Sequence, residues 1–536
     1  MPNRTSPPTP PNTGAAPERV LVVGTLDSAT EGAQALLKHA RRSEPIGVAL
    51  LDGGVAPVSL LGLPVFDLDP ENEASLKRTI REHAIDGALL CQGSEAIPPA
   101  LLGALQRTGI VIRTMPTIEQ TLRGEGEQPR QSPARVNLQS IDLPRLVGRK
   151  PRPIDGSLAR RIIRGQRVLI TGAGGSIGSE LVRQAAALGP AGLCLMERSE
   201  NALFEIDRET ARSWPCVERR ALLHDVVDAQ ATRRIVQEWR PDVIFHAAAH
   251  KHVPMMEDHP AHAVDNNLFG TLSIAEAAVD ARVGRFVMIS TDKAVNPSSV
   301  MGATKRLAER CVRSLAAQRH STRLSMVRFG NVLGSSGSVL QIWAKQIDSG
   351  GPVTVTDPRM TRYFMTIPEA AALVIESAAL TETESAGADV FVLDMGEPVR
   401  ILELAERFIE ACGLTPTGEP VVAVGVTSAE AGRRLRERRE GARMPILITG
   451  ARPGEKRHEE LAHQLEELRP TRARGVLAWA GEKVEAEDVR EMIADLGSVR
   501  AESDPMRAIE AIRRWTPTLP GIKSRVRART NIAGVA

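Results

Sequence analysis

One stretch constrains the fold of this chain more than any other. An apolar, β-branched run, QRVLIT (166–171), passes through Thr171-Gly172-Ala173-Gly174-Gly175-Ser176-Ile177-Gly178 straight into a helical pattern, SELVRQAAAL. Close-set glycines are needed there because the strand must turn sharply, the backbone must approach a pyrophosphate with no Cβ in the way, and the helix must pack tightly on the strand. The helix start then offers free N–H groups and a partial positive charge to phosphates. The stretch therefore predicts a dinucleotide-binding βαβ unit. Glu197, nineteen residues past Gly178 at the end of the next apolar run, stands where an acid binds an adenosine ribose.

The same alternation extends along the chain. Before this unit, RVLVVG (19–24), PIGVALLD (45–52) and GALLCQG (87–93) alternate with helical segments. After it come AGLCLME (191–197), the stretch before Asp225, DVIFHAA (242–248), RFVMIS (285–290) and LSMVRF (324–329). Strands alternating with helices imply parallel sheets covered on both faces. The expected fold class is α/β: two Rossmann-like doubly wound domains, the second with a smaller C-terminal substrate-binding lobe. The boundaries read as a Pro-rich disordered tail (1–17), a Rossmann-like domain (18–118) and a polar, proline-broken linker (119–157). An NAD(P)-binding catalytic domain (158–415), a substrate lobe (416–520) with a charged surface insertion at 425–445, and a tail (521–536) follow. In the first domain RVLVVG continues Thr25-Leu26-Asp27-Ser28 without close-set glycines, so no dinucleotide is expected there.

Composition excludes other classes. Against 68 Lys and Arg stand 65 Asp and Glu, which is no footprint for nucleic acid. The five cysteines are scattered without CxxC spacing, as in a reducing cytosol. No apolar run approaches the ~20 residues of a membrane span. A cytoplasmic protein with no nucleic-acid partner and no transmembrane segment is expected.

The spacing Gly172-x-x-Gly175-x-x-Gly178 resembles the TGxxGxxG of extended short-chain dehydrogenase/reductases. In that group Asp225-Val226 would meet the adenine, and Ala247-Ala248-Ala249 would follow the fourth strand under the cofactor. Arg198, beside Glu197, could instead accept a 2′-phosphate, so NAD is favoured and NADP stays possible. Most members carry proton transfer on a Tyr-x-x-x-Lys helix pair. This chain cannot: its single tyrosine, Tyr363, has no lysine four residues on, and where the pair should stand is Met301-Gly302-Ala303-Thr304-Lys305. A thioether is neither acid nor base. Just upstream, at the carboxyl end of the fifth strand where open α/β sheets bind ligands, lies Thr291-Asp292-Lys293. An adjacent carboxyl and amine there can serve as acid and base if burial and mutual charge move their pKa values together.

TGAGGSIGSE, HAAAHKHVPMMEDHP, STDKAVNPSSVMGATKRLAE, RFGNVLGSSGSV, GGPVTVTDPRMTRYFMTIPEA and RPGEK together resemble the CapD-like nucleotide-sugar 4,6-dehydratases of bacterial polysaccharide and glycan biosynthesis. The first domain also resembles the one preceding the catalytic part of the long membrane-bound members; those begin with transmembrane helices, and this chain is expected to be a form without them. The resemblance implies NAD(P) and UDP-N-acetylglucosamine as substrate; a homo-oligomer is expected. It implies Asp292 as the acid at the C6 hydroxyl, Lys293 as the base at C5, Thr291 as a hydrogen-bond donor to the C4 oxygen, and Lys305 on the nicotinamide ribose. Met301 occupies the tyrosine position, leaving Lys305 or a water relay through Thr291 to deprotonate the C4 hydroxyl. Lys251, His252 and Asn331 would face the sugar, and Arg362, Arg452 and Lys456, with Glu455 in the same RPGEK segment, the UDP. Met301 favours retention at C5. A C5-inverting dehydratase, a UDP-sugar 4-epimerase and a non-catalytic cofactor-binding regulator are the alternatives. His246, His250 and His252 lack carboxylates at ligand spacing, so no metal is expected.

Overall fold

The computed structural model describes residues 18–39, 43–51, 58–68, 73–91, 101, 103–105, 108, 110–114, 136, 138, 141–148, 156–318, 320–380, 390–417, 421–422, 443–463, 466–479 and 484–520. Both expected tails, most of the linker, and all but three residues of the charged insertion lie outside them. The chain divides into two compact units, Met1–Arg135 and Val136–Ala536.

The first unit holds strands β1 (Glu18–Gly24), β2 (Ser43–Leu50), β3 (Ser59–Leu60), β4 (Leu63–Phe66), β5 (Gly87–Leu90) and β6 (Val111–Thr114) in the order β3-β4-β2-β1-β5-β6. All pairs are parallel except β3 with β4. Its core, Leu21, Val23, Leu76, Leu90 and Leu105 among others, comes entirely from this unit.

In the second unit β7 (Arg167–Thr171), β8 (Gly192–Glu197), β9 (Arg219–Leu223), β10 (Val243–His246), β11 (Arg285–Ile289) and β12 (Arg323–Arg328) form a sheet ordered β9-β8-β7-β10-β11-β12. This is the doubly wound order, reversing direction between β7 and β10. The strands read as continuous apolar runs because helices bury both faces: Leu169, Ile244, Phe286 and Met326 face one core, Ile170, Phe245, Val287 and Val327 the other.

The sheet does not stop at β12. Strand Val390–Leu393 adds in parallel, Val476–Trp479 pairs antiparallel with it, and Arg469–Pro470 closes that edge. Strand Val353–Val355 likewise pairs with Ile446–Ile448. Residues beyond the boundary expected at 415/416 thus complete sheets begun before it. A four-residue antiparallel strand carries too weak a sequence pattern to reveal which edge it joins. Among the described residues no helix is long and apolar enough to cross a membrane.

Candidate active site

At the switch between β7 and β10, Gly172 holds φ +64°, and a Cβ on it would stand 2.7 Å from the Ala248 nitrogen. A Cβ on Gly178 would reach 1.9 Å from the Gly172 oxygen, and one on Gly174 would reach 2.5 Å from the Ala202 Cβ. Gly175 caps the helix Ser176–Ala187 without a side chain, leaving its first N–H groups open. The carboxylate of Glu197 folds back on this turn, accepting from Gly174 N at 3.1 Å, Arg198 N at 2.9 Å and Ser199 N at 3.0 Å. Ser176 Oγ accepts from Ser336 N at 3.1 Å, and Ile177 packs against the sheet. Ala247 N and Ala248 N both reach back to Thr171, and Ala249 continues the turn.

Arg198, Ser199, Leu223, His224 and Asp225 line an open cleft beside this turn. Arg198 donates to Asn266 Oδ1 at 3.1 Å, stands 3.1 Å from His250 Nε2 and pairs with Asp225 at 3.6 Å. Asn266 lies in a π-helical turn, Val264–Phe269, a local widening that re-aims side chains. The side chain of Val226 is buried in the core, where Gly270 leaves it room. A glycine cradle that any Cβ would fill, open helical N–H groups and a cleft ending in Asp225 fit a dinucleotide.

Beyond β11 the chain runs extended through Ser290 and Thr291 into a 3₁₀ turn, Asp292–Ala294, capped by Thr291. Asp292 is fully buried; its Oδ1 accepts from Thr291 Oγ1 at 2.8 Å and Lys293 Nζ at 3.0 Å, while Oδ2 has no partner among the described residues. Gly330 makes room for that oxygen, since a Cβ there would approach it to 3.1 Å. Lys293 Nζ also donates to Asn331 Oδ1 at 3.2 Å and stands 3.9 Å from Glu459 Oε1. Burial alone would depress the Lys293 amine, but the Asp292 and Glu459 charges prevail and hold it above its ordinary range, so the pair rests as an ion pair.

Lys293, Asn331, Arg362, Glu455, Lys456 and Glu459 line a cavity of about 120 Å³ with Val253, Ser298, Ser299 and Gly454. Arg362 is buried, donating to Thr361 O and Arg457 O. Lys456 donates to Val295 O at 2.8 Å. Arg452 lies exposed outside the cavity lining, its backbone N–H capped by the Glu455 carboxylate. Lys251 and His252 are exposed on the turn after β10 and do not themselves line the cavity, though the next residue, Val253, does. Met301 packs in the hydrophobic core, one turn before Lys305 on the helix Val300–Ala316. Lys305 is buried and donates to Ile289 O at 2.7 Å; burial pulls its amine down to about 8. His246 spends both ring nitrogens, on Thr171 and Thr271, and burial drops it to about 3. It is a satisfied core histidine, with no nitrogen left for a metal.

Sequence reasoning missed the charged residues beneath the site. Glu309 accepts from Ser290 Oγ at 2.7 Å and from Arg328 Nε and Nη2 at 2.8 and 2.7 Å, while Arg328 Nη1 donates to Glu466. The available signal was an arginine ending the apolar strand LSMVRF, since a charge on a strand covered on both faces needs a partner. Glu459 was missed too, three residues past Lys456 and just beyond the RPGEK motif.

A family model described as "Polysaccharide biosynthesis protein" matches residues 168–479, from β7 to the antiparallel edge strand. The chain belongs to this polysaccharide biosynthesis protein family. Relatives include the capsular polysaccharide biosynthesis protein CapD of Staphylococcus aureus, 42% identical over 67% of this chain and 54% of that protein. The probable polysaccharide biosynthesis protein EpsC of Bacillus subtilis is 39% identical over 84% of this chain and 69% of its own length. The chain thus spans about half of the first and just over two thirds of the second. Among solved structures, Pen from Bacillus thuringiensis superposes with a TM-score of 0.50 at 27% identity, covering 62% of this chain and 98% of that one. The polysaccharide biosynthesis family match covers the glycine turn, the Asp292–Lys293 pair and the cavity alike.

Proposed function

We propose that the chain is an NAD-dependent nucleotide-sugar 4,6-dehydratase, with NADP as the alternative cofactor, converting UDP-N-acetylglucosamine to a UDP-4-keto-6-deoxy-N-acetylhexosamine with C5 configuration retained. The observation that carries this reading is the Asp292–Lys293 ion pair: an acid and a base 3.0 Å apart, at the mouth of a parallel strand and on the edge of a cavity. Gly172, Gly175, Gly178, Ser176 and Asp225 would hold the dinucleotide, which when bound takes a hydride from sugar C4 and returns it to C6. Membership in a polysaccharide biosynthesis family supports a nucleotide sugar as substrate.

The protein's own groups manage the protons. In the resting pair the proton sits on Lys293, whereas elimination needs it on Asp292. One transfer along the Nζ–Oδ1 hydrogen bond converts ion pair to neutral pair with no net exchange with solvent. A bound sugar that excludes water favours the neutral pair, because both charges lose hydration together. Asp292 then protonates the departing C6 hydroxyl and Lys293 takes the C5 proton, acidified by the 4-keto group. Water leaves; the Lys293 ammonium, its protons exchanged with solvent, would then return one to C5 as C6 regains its hydrogen, and the proton accepted from the C4 hydroxyl restores the ion pair. Thr291, whose single hydroxyl proton goes to Asp292 Oδ1 in the resting site, would turn it to the C4 oxygen when the sugar binds. Lys305, with an amine near 8, is suited to accept the C4 hydroxyl proton where other family folds use tyrosine.

The test is incubation with NAD and UDP-N-acetylglucosamine in D₂O, followed by proton NMR. A 4-keto-6-deoxy product with deuterium at C5 and the starting configuration is expected. An unchanged sugar with NAD bound would remove the proposal, and an inverted C5 would correct its stereochemistry.

A further inference from the structure

The segment carrying Glu459 is tied over the Asp292–Ser299 loop. Lys456 Nζ donates to Val295 O, Ser298 Oγ to Gly454 O at 3.0 Å, and Asn296 Nδ2 to Glu460 Oε2 at 2.9 Å. On its other side Thr361 N donates to Arg457 O at 2.9 Å. These bonds fix Glu459 in the inner wall of the cavity, its side chain 4% exposed. Oε1 faces two cations, Lys293 Nζ at 3.9 Å and Arg362 Nε at 3.8 Å. Oε2 is buried and has no hydrogen-bond partner among the described residues.

A buried carboxylate oxygen left without a donor is costly and calls for an explanation, and in the wall of a cavity a ligand's hydrogen-bond donor supplies one. A second orphan is Asp292 Oδ2, on the carboxylate whose Oδ1 accepts from the same ammonium. Two unsatisfied acceptors on the two carboxylates that pair with Lys293, one of them in the cavity wall, match a ligand that presents several hydroxyl donors on a small ring. We infer that Glu459 is a further substrate-contacting residue of this site, its Oε2 accepting a hydrogen bond from a hydroxyl of the hexose held beside Lys293. The inference rests on the dehydratase reading and deepens it. Glu459 has a second effect through the same geometry. An ionised Glu459 holds the proton on Lys293, and capping its free oxygen with a sugar hydroxyl weakens that hold as the neutral Asp292–Lys293 pair is needed. Burial and the Asp292 charge push the Glu459 carboxyl above its ordinary range, which works in the same direction.

The experiment uses the full chain with Glu459→Gln, which keeps shape and removes charge, and Glu459→Ala. Steady-state kinetics with UDP-N-acetylglucosamine across pH, the unfolding midpoint and NAD affinity are measured for each. The Gln variant is expected to lose tenfold or more in kcat/KM with a displaced pH profile, and Ala a hundredfold or more, with NAD affinity unchanged and the Gln midpoint at the wild-type value. Both variants within twofold of wild type at every pH would overturn the inference. So would a loss confined to Ala and accompanied by a lower midpoint, which makes Glu459 a prop for Arg362. Absence of turnover by the wild type would sink the dehydratase reading separately. Calorimetric binding of UDP-N-acetylglucosamine then decides on Glu459: Glu459→Gln binding at least tenfold weaker upholds the contact, and equal affinity removes it.

Discussion

Lys305 shows how one residue changes its chemistry by where it is buried. A solvated lysine is protonated at neutral pH and cannot act as a base. This one lies on the floor of the site, bonded to the Ile289 carbonyl, with burial outweighing the favourable charge of Glu309 one turn on. An amine brought down to about 8 is charged below that pH and neutral above it. If it takes the C4 hydroxyl proton, kcat/KM rises as pH passes upward through about 8. Lys305→Arg, which stays charged, should flatten that limb and lower the rate by ~10²–10⁴-fold, the range for a lost general base. A pH-rate profile of the two proteins checks this; a limb that survives in the Arg variant assigns it elsewhere. Met301 gives the converse case, since its place in the motif pointed to the site and its side chain lies in the core.

At the scale of elements, two devices set the site. The first is the turn from β7 into the helix Ser176–Ala187, where Gly178 lies against the Gly172 carbonyl closely enough that a methyl group cannot fit without moving main chain. Gly178→Ala should cost about 1–3 kcal/mol or more, as overpacking does, and weaken NAD binding at least tenfold. Thermal unfolding with and without NAD reads both, because the stabilisation that ligand adds shrinks as affinity falls. The second is the Ser290–Glu309–Arg328–Glu466 network joining the helix Val300–Ala316, β12 and the segment before the edge strands. Arg328 is fully buried, and Glu309 is held down to about 2, chiefly by Arg328 against the opposing pull of burial. Arg328→Met leaves the buried Glu309 and Glu466 carboxylates with only Arg306, at 3.5 and 3.7 Å, as their shared cation. Breaking a buried pair in this way costs about 3–5 kcal/mol. A clear drop in the unfolding midpoint is expected, with the double variant Arg328→Met, Glu309→Leu recovering part of it. A midpoint unchanged in the single variant would mean that water replaces the lost partner.

At the scale of the molecule, each unit has its own core. Leu21, Leu76, Leu90 and Leu105 belong to the first; the clusters around Leu169, Ile170 and Trp343 belong to the second. Each described residue placed in the site lies in Val136–Ala536. A protein lacking residues 1–130 should therefore fold and keep kcat within about threefold of the full chain, the additivity expected of independent sites. A chain ending before the edge strand Val476–Trp479 should not, since that removal exposes the apolar edge of Val390–Leu393. Circular dichroism and the D₂O assay on the two truncations test both. A loss of activity in the first would give the N-terminal unit a part in catalysis.

The sequence by itself determined what short-range chemistry determines. The glycine turn, the strand-helix alternation, the doubly wound order's six strands and the Thr291-Asp292-Lys293 corner are all local patterns whose spacing the backbone obeys wherever they occur. Tertiary structure alone decided the rest: that a strand at 476–479 completes a sheet begun at 167, that Glu459 faces Lys293 from 166 positions away, and that Arg328 finds Glu309 and Glu466. The reason is physical. Whether a carboxylate is a surface solute or a dry, half-paired group in a cavity depends on which distant segments cover it, and burial of that kind leaves no period in the sequence.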